Sequence, residues 1–433
     1  MIVVLSQGCA ANFGDGEKIA RILSKKSEVS FEFPEPSSPK PEAFYLNVCT
    51  VKGNAGALKL LRKAASTYPG VPIYITGCAP KDFREEAIRA VPQVQFTTLS
   101  ELEKEQQFGV DLGNAEQDRT RENRYQNIAR HKNVLRESPF VGIVNIEEGC
   151  LDACAFCSTH LVKGRLHSFA PNAIVDQVQA LVDDGCLEIQ LTGQDCACYG
   201  FDIGTNLAEL TQKILTHVNG NYRIRLGMGN PRHVVGFQEA LLDCFTDERV
   251  YKFIHIPVQS GSERVLKAMN RRHSALDYLT LAHAFTERFS RFTLSTDLIV
   301  GFPGETAEDF NDTLNILKET RPTVCNITRF VARPGTVAAR LEAESAIPDA
   351  IKHERSAILA EAFQKIALEN NRQWVGDVCS VVTEKQGYRN GTTIARNEAY
   401  RPVALQGAYP AGQTRSVRIS DAEPFALIAE LIS

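Results

Sequence analysis

Three cysteines close together near the middle of the chain are the strongest chemical signal in the sequence. Cys150, Cys154 and Cys157 have the spacing C-x₃-C-x₂-C and directly follow a predicted buried strand. Three thiolates on one loop can bind three irons of a four-iron cluster and leave the fourth iron open to an external ligand. The alternatives are three core cysteines or a zinc site, but structural zinc needs four protein ligands, and His160 is the only further candidate at a suitable spacing. The spacing therefore favours an iron–sulfur cluster.

A second set of three cysteines is dispersed along the first eighty residues. Cys9, Cys49 and Cys78 each stand at the end of a predicted strand, and Gly8 and Gly77 precede two of them. Because the carboxyl ends of parallel strands meet at one edge of a sheet, we expect these thiols to converge on a second metal site. The alternative is three buried core cysteines, since free cysteine is among the most buried residue types.

Polar residues at other strand ends fit a cofactor pocket. Gln194 and Asp195 follow one predicted strand of the central region, where they could bind an ammonium group. Gln259 follows a later strand, and Gly301 follows the next, where a missing side chain permits close approach of an adenosine. Each segment alone is also typical of an ordinary turn, so the prediction rests on their common placement.

Composition excludes several classes of protein. The chain has 433 residues, of which 43% are apolar and 23% charged, with a formal net charge of −4, so a disordered, fibrous or generally basic protein is excluded. No apolar run approaches the roughly 18–20 residues of a membrane span, and the start does not resemble a signal peptide. We therefore expect a cytoplasmic protein without a membrane partner, whose cysteines are ligands, catalytic thiols or core residues rather than disulfides.

The elements that must position these residues follow from apolar patterning. Short strands alternate with helices over residues 1–100, which is typical of a parallel sheet. Six strand patterns alternate with helices over residues 139–332, which predicts an open parallel barrel or a wound sheet with functional residues at the strands' C-terminal ends. A long helix and a set of short strands follow, and the short strands predict a small β-barrel. The predicted divisions are residues 1–115, a linker at 116–138, a core at 139–370 and a barrel at 371–433. The six central strands are predicted at Phe140–Ile146, Leu187–Thr192, Tyr222–Leu226, Val250–Ile256, Phe292–Val300 and Val324–Phe330.

The predicted linker is strongly basic. Between Arg119 and Arg136 it holds five arginines and one lysine against a single acid, Glu122. Such a patch could contact the phosphates of a nucleic acid, although a charge run is equally typical of a solvated connector. The candidate contacts are Arg121, Arg124 and Arg130.

The cysteine triplet at the opening of a six-fold βα array resembles the radical S-adenosylmethionine superfamily. Phe156 lies at the aromatic position of that superfamily's motif. The resemblance implies that the open iron binds S-adenosylmethionine, and that reductive cleavage of the cofactor yields a 5′-deoxyadenosyl radical that abstracts hydrogen. It also implies an external electron donor.

The whole chain resembles the methylthiotransferase family, and within it the archaeal and eukaryotic branch that acts on N6-threonylcarbamoyladenosine in tRNA. That family has an N-terminal cluster domain, a central open (βα)₆ partial barrel and a C-terminal TRAM β-barrel that binds RNA. The resemblance is carried by these segments: Gly8-Cys9, Asn47 to Lys52, Gly77 to Pro80, Glu148 to Cys157, Gln194 to Leu207, His255 to Gly261, Thr296 to Thr306 and Arg333 to Thr336.

The resemblance implies roles for the residues found above. Cys150, Cys154 and Cys157 would hold the radical-generating 4Fe–4S cluster, while Cys9, Cys49 and Cys78 would hold a second one that carries the sulfur to be inserted. Arg333 is a candidate substrate contact, the anticodon loop is the expected partner, and a sulfur source is required. The alternatives are methylthiolation of isopentenyladenosine or of a ribosomal-protein aspartate, a cobalamin-dependent radical methylase, and a non-catalytic iron–sulfur protein that binds RNA.

Overall fold

The structure is a computed structural model that describes residues 1–35, 37–49, 54–107, 135–387 and 389–432. Its contacts divide it into two compact units. The N-terminal unit comprises residues 1–150, 158–194 and 218–220, and the C-terminal unit comprises residues 151–157, 195–217 and 221–433. The predicted contacts Arg121, Arg124 and Arg130 lie outside the described residues. None of the described helices has the length and apolarity needed to cross a membrane.

The N-terminal unit begins with a five-stranded parallel sheet in the order β2-β1-β3-β4-β5. Both faces of the sheet carry apolar clusters, and every residue of β3 is buried, which explains why all of its residues except Asn47 are apolar. The strands are β1 Ile2–Ser6, β2 Val29–Ser30, β3 Ala43–Cys49, β4 Ile73–Cys78 and β5 Gln95–Phe96. The helices are α1 Ala10–Leu23, α2 Ala55–Thr67, α3 Lys81–Ala90 and α4 Leu99–Gln107.

The rest of this unit contains the first two strands of the predicted central array. Strand β6 pairs in parallel with β9, and β7 pairs with β8 in the opposite sense. The elements are β6 Val141–Asn145, β7 Glu147–Glu148, α5 Thr159–Lys163, β8 His167–Ser168, α6 Pro171–Asp183 and β9 Glu188–Thr192.

The C-terminal unit contains the other four strands of the array. Strands β11, β12 and β13 form a parallel sheet in that order. Two helices begin with a capping box, Ser274 with Asp277 and Thr306 with Asp309, which satisfies amide groups that the first turn leaves free. The strands are β10 Arg223–Leu226, β11 Phe253–His255, β12 Thr293–Val300 and β13 Val324–Arg329. The helices are α7 Leu207–His217, α8 Pro231–Val234, α9 Gln238–Cys244, α10 Glu263–Ala268, α11 Ala275–Arg288 and α12 Ala307–Thr320.

A long helix leads into a closed barrel in the order β14-β15-β16-β18-β17. Half-buried and fully buried residues alternate along β15, so every second side chain fills the barrel. Trp374 packs in the same core. The predicted barrel is therefore present, with one strand, β18, that the sequence patterns did not indicate. The elements are α13 Val337–Ser345, α14 Asp349–Arg372, β14 Val378–Gln386, β15 Thr392–Asn397, β16 Pro402–Gln406, β17 Thr414–Glu423 and β18 Ala426–Leu431.

Candidate functional site

The dispersed cysteines meet at one edge of the N-terminal sheet. Cys49 and Cys78 are the last residues of β3 and β4 and are register partners, so their Cα atoms are separated by one strand spacing, roughly 4.8 Å. Cys9 caps the start of α1, where its carbonyl accepts hydrogen bonds from the amides of Asn12 and Phe13. A hydrogen bond with Cys49 lowers the pKa of Cys9 to about 6, although partial burial opposes ionisation. The predicted convergence is thus observed.

Glycine is required beside two of these cysteines. Gly8 has a φ of +122°, and a Cβ there would lie 2.3 Å from the Cβ of Cys49. Gly77 has a φ of +83°, and its Cβ would lie 2.5 Å from the carbonyl oxygen of Val48. Both glycines therefore allow the chain before a cysteine to press against β3, which brings the thiols together.

Two asparagines fix the start of α1 against the sheet. The side chain of Asn12 donates to the carbonyls of Gln7 at 2.7 Å and Asn47 at 3.0 Å, and the side chain of Asn47 donates back to the carbonyl of Asn12 at 2.5 Å. Both residues are buried. These bonds hold Cys9 relative to β3, because Cys9 and Asn12 share the first turn of α1.

A buried charge network lies beside the same cysteines. The ammonium of Lys163 donates to Asp15 at 2.8 Å, Lys18 approaches the same carboxylate at 3.4 Å, and Asn145 donates to it at 2.9 Å. Burial disfavours the charge on Asp15, but the two lysines outweigh it and lower the pKa of Asp15. Burial likewise opposes the charge of Lys163, yet Asp15 and Cys78 raise the pKa of Lys163. Lys163 thus places a fixed positive charge near Cys78.

The loop that carries Cys150, Cys154 and Cys157 begins in the N-terminal unit and continues in the C-terminal unit. Cys150 forms a β-bridge with Arg165 inside the N-terminal unit. Cys154 and Cys157 lie in the C-terminal unit, where the amide of Cys157 donates to the carbonyl of Cys154 at 3.1 Å. All three are half-buried, so their thiols are neither core residues nor fully solvated.

The segment after α10 holds the loop around Cys154. A guanidinium nitrogen of Arg271 donates to the Cys154 sulfur at 3.4 Å, and another donates to the carbonyl of Pro257 at 2.9 Å. Asn270 donates to the carbonyl of Ala153 at 2.7 Å. Burial raises the pKa of the Cys154 thiol, while Arg271 favours the thiolate. A thiolate is the form that binds metal, so Arg271 would favour ligation if Cys154 is a metal ligand.

Asp152 connects the same loop to the start of α8. Its carboxylate accepts hydrogen bonds from Asn230 at 2.6 Å, from His233 at 3.0 Å and from Arg232. Burial opposes ionisation, but His233 and Arg232 outweigh it and lower the pKa of Asp152 to about 2. The loop is therefore held by a charged and hydrogen-bonded anchor between its first two cysteines.

Asp195, predicted to contact a cofactor ammonium, is buried next to this anchor. Its carboxylate accepts from the amide of Asn230 at 2.9 Å and lies 3.7 Å from His233. Burial raises the pKa of Asp195. Asp152, Asp195 and His233 offer ligand atoms within 4.8 Å of one another, a spacing that suits a metal ion. Here the same groups brace two loops at the strand ends.

The remaining predicted cofactor residues occupy separate positions. Gln194 accepts a hydrogen bond from the amide of Gly149 at 2.7 Å. Phe156 is half-buried against an apolar cluster, and Gln259 has a φ of +73° while its backbone pairs with β12. Gly301 has a φ of +73°, and a Cβ there would lie 2.4 Å from the Cγ of Lys352. The side of Gly301 that lacks a side chain therefore contacts α14.

Arg333 follows β13 and is half-buried. Its carbonyl accepts from the hydroxyl of Thr336 at 2.7 Å, which fixes the turn before α13. This turn keeps the arginine at the C-terminal end of the last array strand, where the sequence predicts substrate contacts.

Most of the other cysteines lie in the core. Cys196 and Cys198 are fully buried in a short 3₁₀ turn. Burial raises the pKa of Cys186 and of Cys244 to about 11, and that of Cys379 to about 12. Thiols of this kind stay protonated near neutral pH and serve packing.

Three segments of the chain match family models. Residues 1–98 match the Uncharacterized protein family UPF0004, residues 144–317 match the Radical SAM superfamily, and residues 372–432 match the TRAM domain. The three matches fall in the same order as the predicted cluster domain, array and barrel.

Proteins of similar sequence match nearly the whole of this chain. The chain is 36% identical to a "Probable threonylcarbamoyladenosine tRNA methylthiotransferase" of Archaeoglobus fulgidus, with 99% of this chain and 98% of that protein covered. It is 30% identical to the human "Threonylcarbamoyladenosine tRNA methylthiotransferase", with 93% of this chain and 69% of that protein covered.

Solved structures share the fold. The radical S-adenosylmethionine methyltransferase TsrM from Kitasatospora setae superposes with a TM-score of 0.53 at 13% identity, over 79% of this chain and 74% of that one. At that identity the likeness shows the fold alone. Together with the closed barrel, it confirms the predicted α/β fold class.

Proposed function

This chain belongs to the threonylcarbamoyladenosine tRNA methylthiotransferase family, and from that premise we propose that it converts N6-threonylcarbamoyladenosine in tRNA to its 2-methylthio derivative. It is a radical S-adenosylmethionine enzyme. Membership of that superfamily implies a 4Fe–4S cluster and S-adenosylmethionine, which together supply a 5′-deoxyadenosyl radical for hydrogen abstraction. The half-buried thiols of Cys150, Cys154 and Cys157 have the donor chemistry that such a cluster requires.

The observation that carries the proposal is the second cysteine set. Cys9, Cys49 and Cys78 are brought to one sheet edge from three distant segments, and Cys9 and Cys49 share a hydrogen bond. Three thiols suit a second cluster with one open iron, to which a sulfur atom can bind. A methylthiotransferase needs such a sulfur carrier in addition to the radical chemistry, whereas a simple radical methylase does not.

The chain's own residues hold and shield these sites. Arg271 and Asp152 fix the loop of the first cysteine set through hydrogen bonds to Cys154 and to Asn230. Lys163 holds a positive charge near Cys78, which favours a bound anionic sulfur over loss of that sulfur to solvent. Each turnover consumes a sulfur atom and an electron, so a sulfur source and an external electron donor are required partners.

Recognition of the substrate combines phosphate and carboxylate contacts. Arg121, Arg124 and Arg130 would contact tRNA phosphates and so drive affinity. A base in the anticodon loop is already single-stranded, so it can be turned into a pocket at small cost. Arg333 would pair with the carboxylate of the threonylcarbamoyl group, since a guanidinium can bind a carboxylate through two parallel hydrogen bonds. A cytoplasmic location, where mature tRNA is available, is part of the proposal.

The test offers the reconstituted enzyme two purified tRNAs, one with threonylcarbamoyladenosine and one with isopentenyladenosine. Mass spectrometry of the digested nucleosides should show the methylthio group only on the first. A methylthio group only on the second tRNA, or only on a ribosomal protein supplied in parallel, would contradict the substrate while leaving the reaction class intact.

A matched pair of cysteine variants tests the second cluster. Cys49→Ala should still cleave S-adenosylmethionine reductively but should insert no sulfur, because only the radical site is intact. Cys186→Ala is the control, since Cys186 is a buried thiol of the same unit that belongs to neither cysteine set. Normal methylthiolation by Cys49→Ala would show that Cys49 is a core residue.

A further inference from the structure

The C-terminal unit contains a small cavity whose lining, among the described residues, includes no cysteine. It has a volume of about 230 Å³ and lies between the ends of α11, α12 and α14 and the start of β16. This is smaller than the 300 Å³ or more typical of sites for drug-sized ligands. Its principal polar lining residues are His283, Arg291, Glu319, Arg321, Asn370 and Arg401.

Arg401 is the most unusual of these residues, because it is a buried cation with only neutral partners. It is 5% exposed, and it donates to the side chain of Asn371 at 2.5 Å, to the carbonyl of Phe292 at 3.3 Å and to the hydroxyl of Thr323 at 3.0 Å. Its Nε has no hydrogen-bond partner. Burial and the charge of Arg291 lower the pKa of Arg401 to about 9.

Buried charges are normally paired with an opposite charge, because an isolated ion loses its hydration. No carboxylate forms an ion pair with Arg401 among the residues that the structure describes. The missing counter-charge, together with the adjoining cavity, indicates an anionic ligand.

Two further arginines, Arg291 and Arg321, line the same cavity. Arg291 and Arg401 lie over the ring of Trp374, with guanidinium carbons 5.3 and 5.6 Å from its centroid. Arg291 also pairs with Asp377 at 2.8 Å and donates to the carbonyl of Gln373 at 2.9 Å, so only its remaining N–H groups are open to a ligand. Stacking on the indole restrains both guanidinium groups at the cavity. Arg321 lies at the end of α12 and pairs with Glu369 at the surface, while Glu319 is the only acidic lining residue. The lining therefore carries an excess of positive charge.

We propose that this cavity binds a phosphate group through Arg291, Arg321 and Arg401. A phosphate offers several oxygens to forked donors, whereas a carboxylate offers two, so three arginines fit phosphate better. The cavity is too small for a whole nucleotide, which points to a single phosphate group. That group is either free inorganic phosphate or one phosphodiester of a bound RNA.

The first experiment titrates inorganic phosphate into the reconstituted full-length protein and follows binding by calorimetry at constant chloride concentration. The native protein should show saturable binding of one phosphate per chain. Arg321→Gln and Arg291→Gln should weaken it at least about tenfold, since each removes a charge-assisted contact. Arg288→Gln is the control, because Arg288 is also a half-exposed arginine paired with an acid, Asp243, but does not line the cavity.

The second experiment identifies the source of the phosphate and rests on the proposed tRNA substrate. If a phosphodiester fills the cavity, Arg321→Gln should reduce the slope of log affinity for tRNA against log salt concentration by about one, and inorganic phosphate should compete with tRNA. If free phosphate is the ligand, Arg321→Gln and Arg288→Gln should bind tRNA equally while differing in phosphate binding. Both results support the cavity as a phosphate site.

The proposal is overturned if the native protein shows no saturable phosphate binding and Arg321→Gln binds tRNA as Arg288→Gln does. Phosphate binding that survives unchanged in both lining variants would also overturn it. The phosphate titration does not require tRNA, so its failure is separate from failure of the proposed function. The three variants leave Arg401 in place, so its hydrogen bonds to Asn371, Phe292 and Thr323 are retained.

Discussion

Asp15 and Lys163 form a buried ion pair beside Cys78, and burying both charges costs desolvation free energy. Asp15 is 6% exposed, yet it is ionised because Lys163 lies 2.8 Å away. Removing two charges from water costs several kcal/mol per ion, and mutual attraction repays this only where the geometry is good. Such a pair contributes little net stability, so its place near Cys78 is better explained by the charge that it supplies there.

Breaking this pair should be more harmful than removing it. Asp15→Asn should lower the free energy of unfolding at pH 7 by about 3–5 kcal/mol, because it leaves the Lys163 ammonium buried without its counter-charge. The double variant Asp15→Asn with Lys163→Met should lose less than the sum of the two single losses. Urea unfolding of the iron-free proteins measures each value, and strict additivity would contradict the pairing.

The same pair predicts a pH dependence with a definite sign. The pKa of Asp15 is lowered in the native protein, so its contribution is complete above the unfolded pKa, roughly 3.9, and is lost as the pH falls towards the native pKa. The difference in unfolding free energy between the native chain and Asp15→Asn should therefore shrink below about pH 4. A difference that grew on acidification would mean that Asp15 is protonated in the folded state.

The cysteines could be found from the sequence, but the residues that support them could not. Spacing within one loop, or a thiol at the end of an apolar run, is a local pattern. Lys163 is 148 residues from Asp15, Arg271 is 117 from Cys154 and His233 is 81 from Asp152. Pairs at such separations are created by the fold, and a single sequence contains no local signal for them.

At the scale of elements, the loop after β12 places Gly301, a predicted cofactor contact, directly against a helix of the same unit. The amide of Gly301 donates to Glu305 at 3.0 Å, and Glu305 is paired with Arg355 of α14. Lys352, one turn earlier in α14, occupies the space beside Gly301. The glycine, the acid and the helix therefore form one packed unit at the end of β12.

Alanine variants of Gly301 and Gly304 can distinguish a steric clash with α14 from the strain of a positive φ. Gly301→Ala should lower the melting temperature more than Gly304→Ala, although both residues have φ near +75°. The new Cβ would collide with the Lys352 side chain at Gly301, at 2.4 Å, whereas at Gly304 it would lie 3.7 Å from the hydroxyl of Ser345. We expect about 1–3 kcal/mol of additional loss at Gly301, the usual cost of overpacking. Equal losses would show that φ alone matters.

Elements with a clear apolar period were predicted well, and elements with weak patterns were not. All six strands of the central array are present, with ends shifted by up to three residues. Helix α1 begins at Ala10 and contains Gly14 and Gly16, which disfavour helix in isolation, so the first half of this helix has only a weak pattern in the sequence. In the fold these glycines permit close packing, since a Cβ at Gly14 would lie 2.8 Å from Ile143.

At the scale of the whole molecule, the chain combines two cysteine sets with different origins. One is local to a single loop, and the other depends on three strands of a sheet. Anaerobic reconstitution should give two four-iron clusters, or about eight irons per chain. Replacing Cys150, Cys154 and Cys157 by Ala should leave about half of that iron, as measured by iron analysis.

The control for this measurement is Cys244→Ala. Cys244 is a buried thiol whose hydrogen bond goes to the carbonyl of Ala208, so its replacement should leave the iron content unchanged. A triple variant that retained all the iron, or a native protein that held only zinc, would contradict the assignment of two clusters.

The register pairing of Cys49 with Cys78 has a consequence for maturation in the cell. The loop of Cys150 to Cys157 can gather its thiols within one short segment, whereas Cys9, Cys49 and Cys78 meet only after strands far apart in the chain have closed into a sheet. Metal binding is coupled to folding where the folded chain alone assembles the ligands. We therefore expect iron to enter the loop site first during assembly, and mild urea to release iron from the sheet site first. Under iron shortage, the chain would accumulate as a half-loaded form that cleaves its cofactor without modifying RNA.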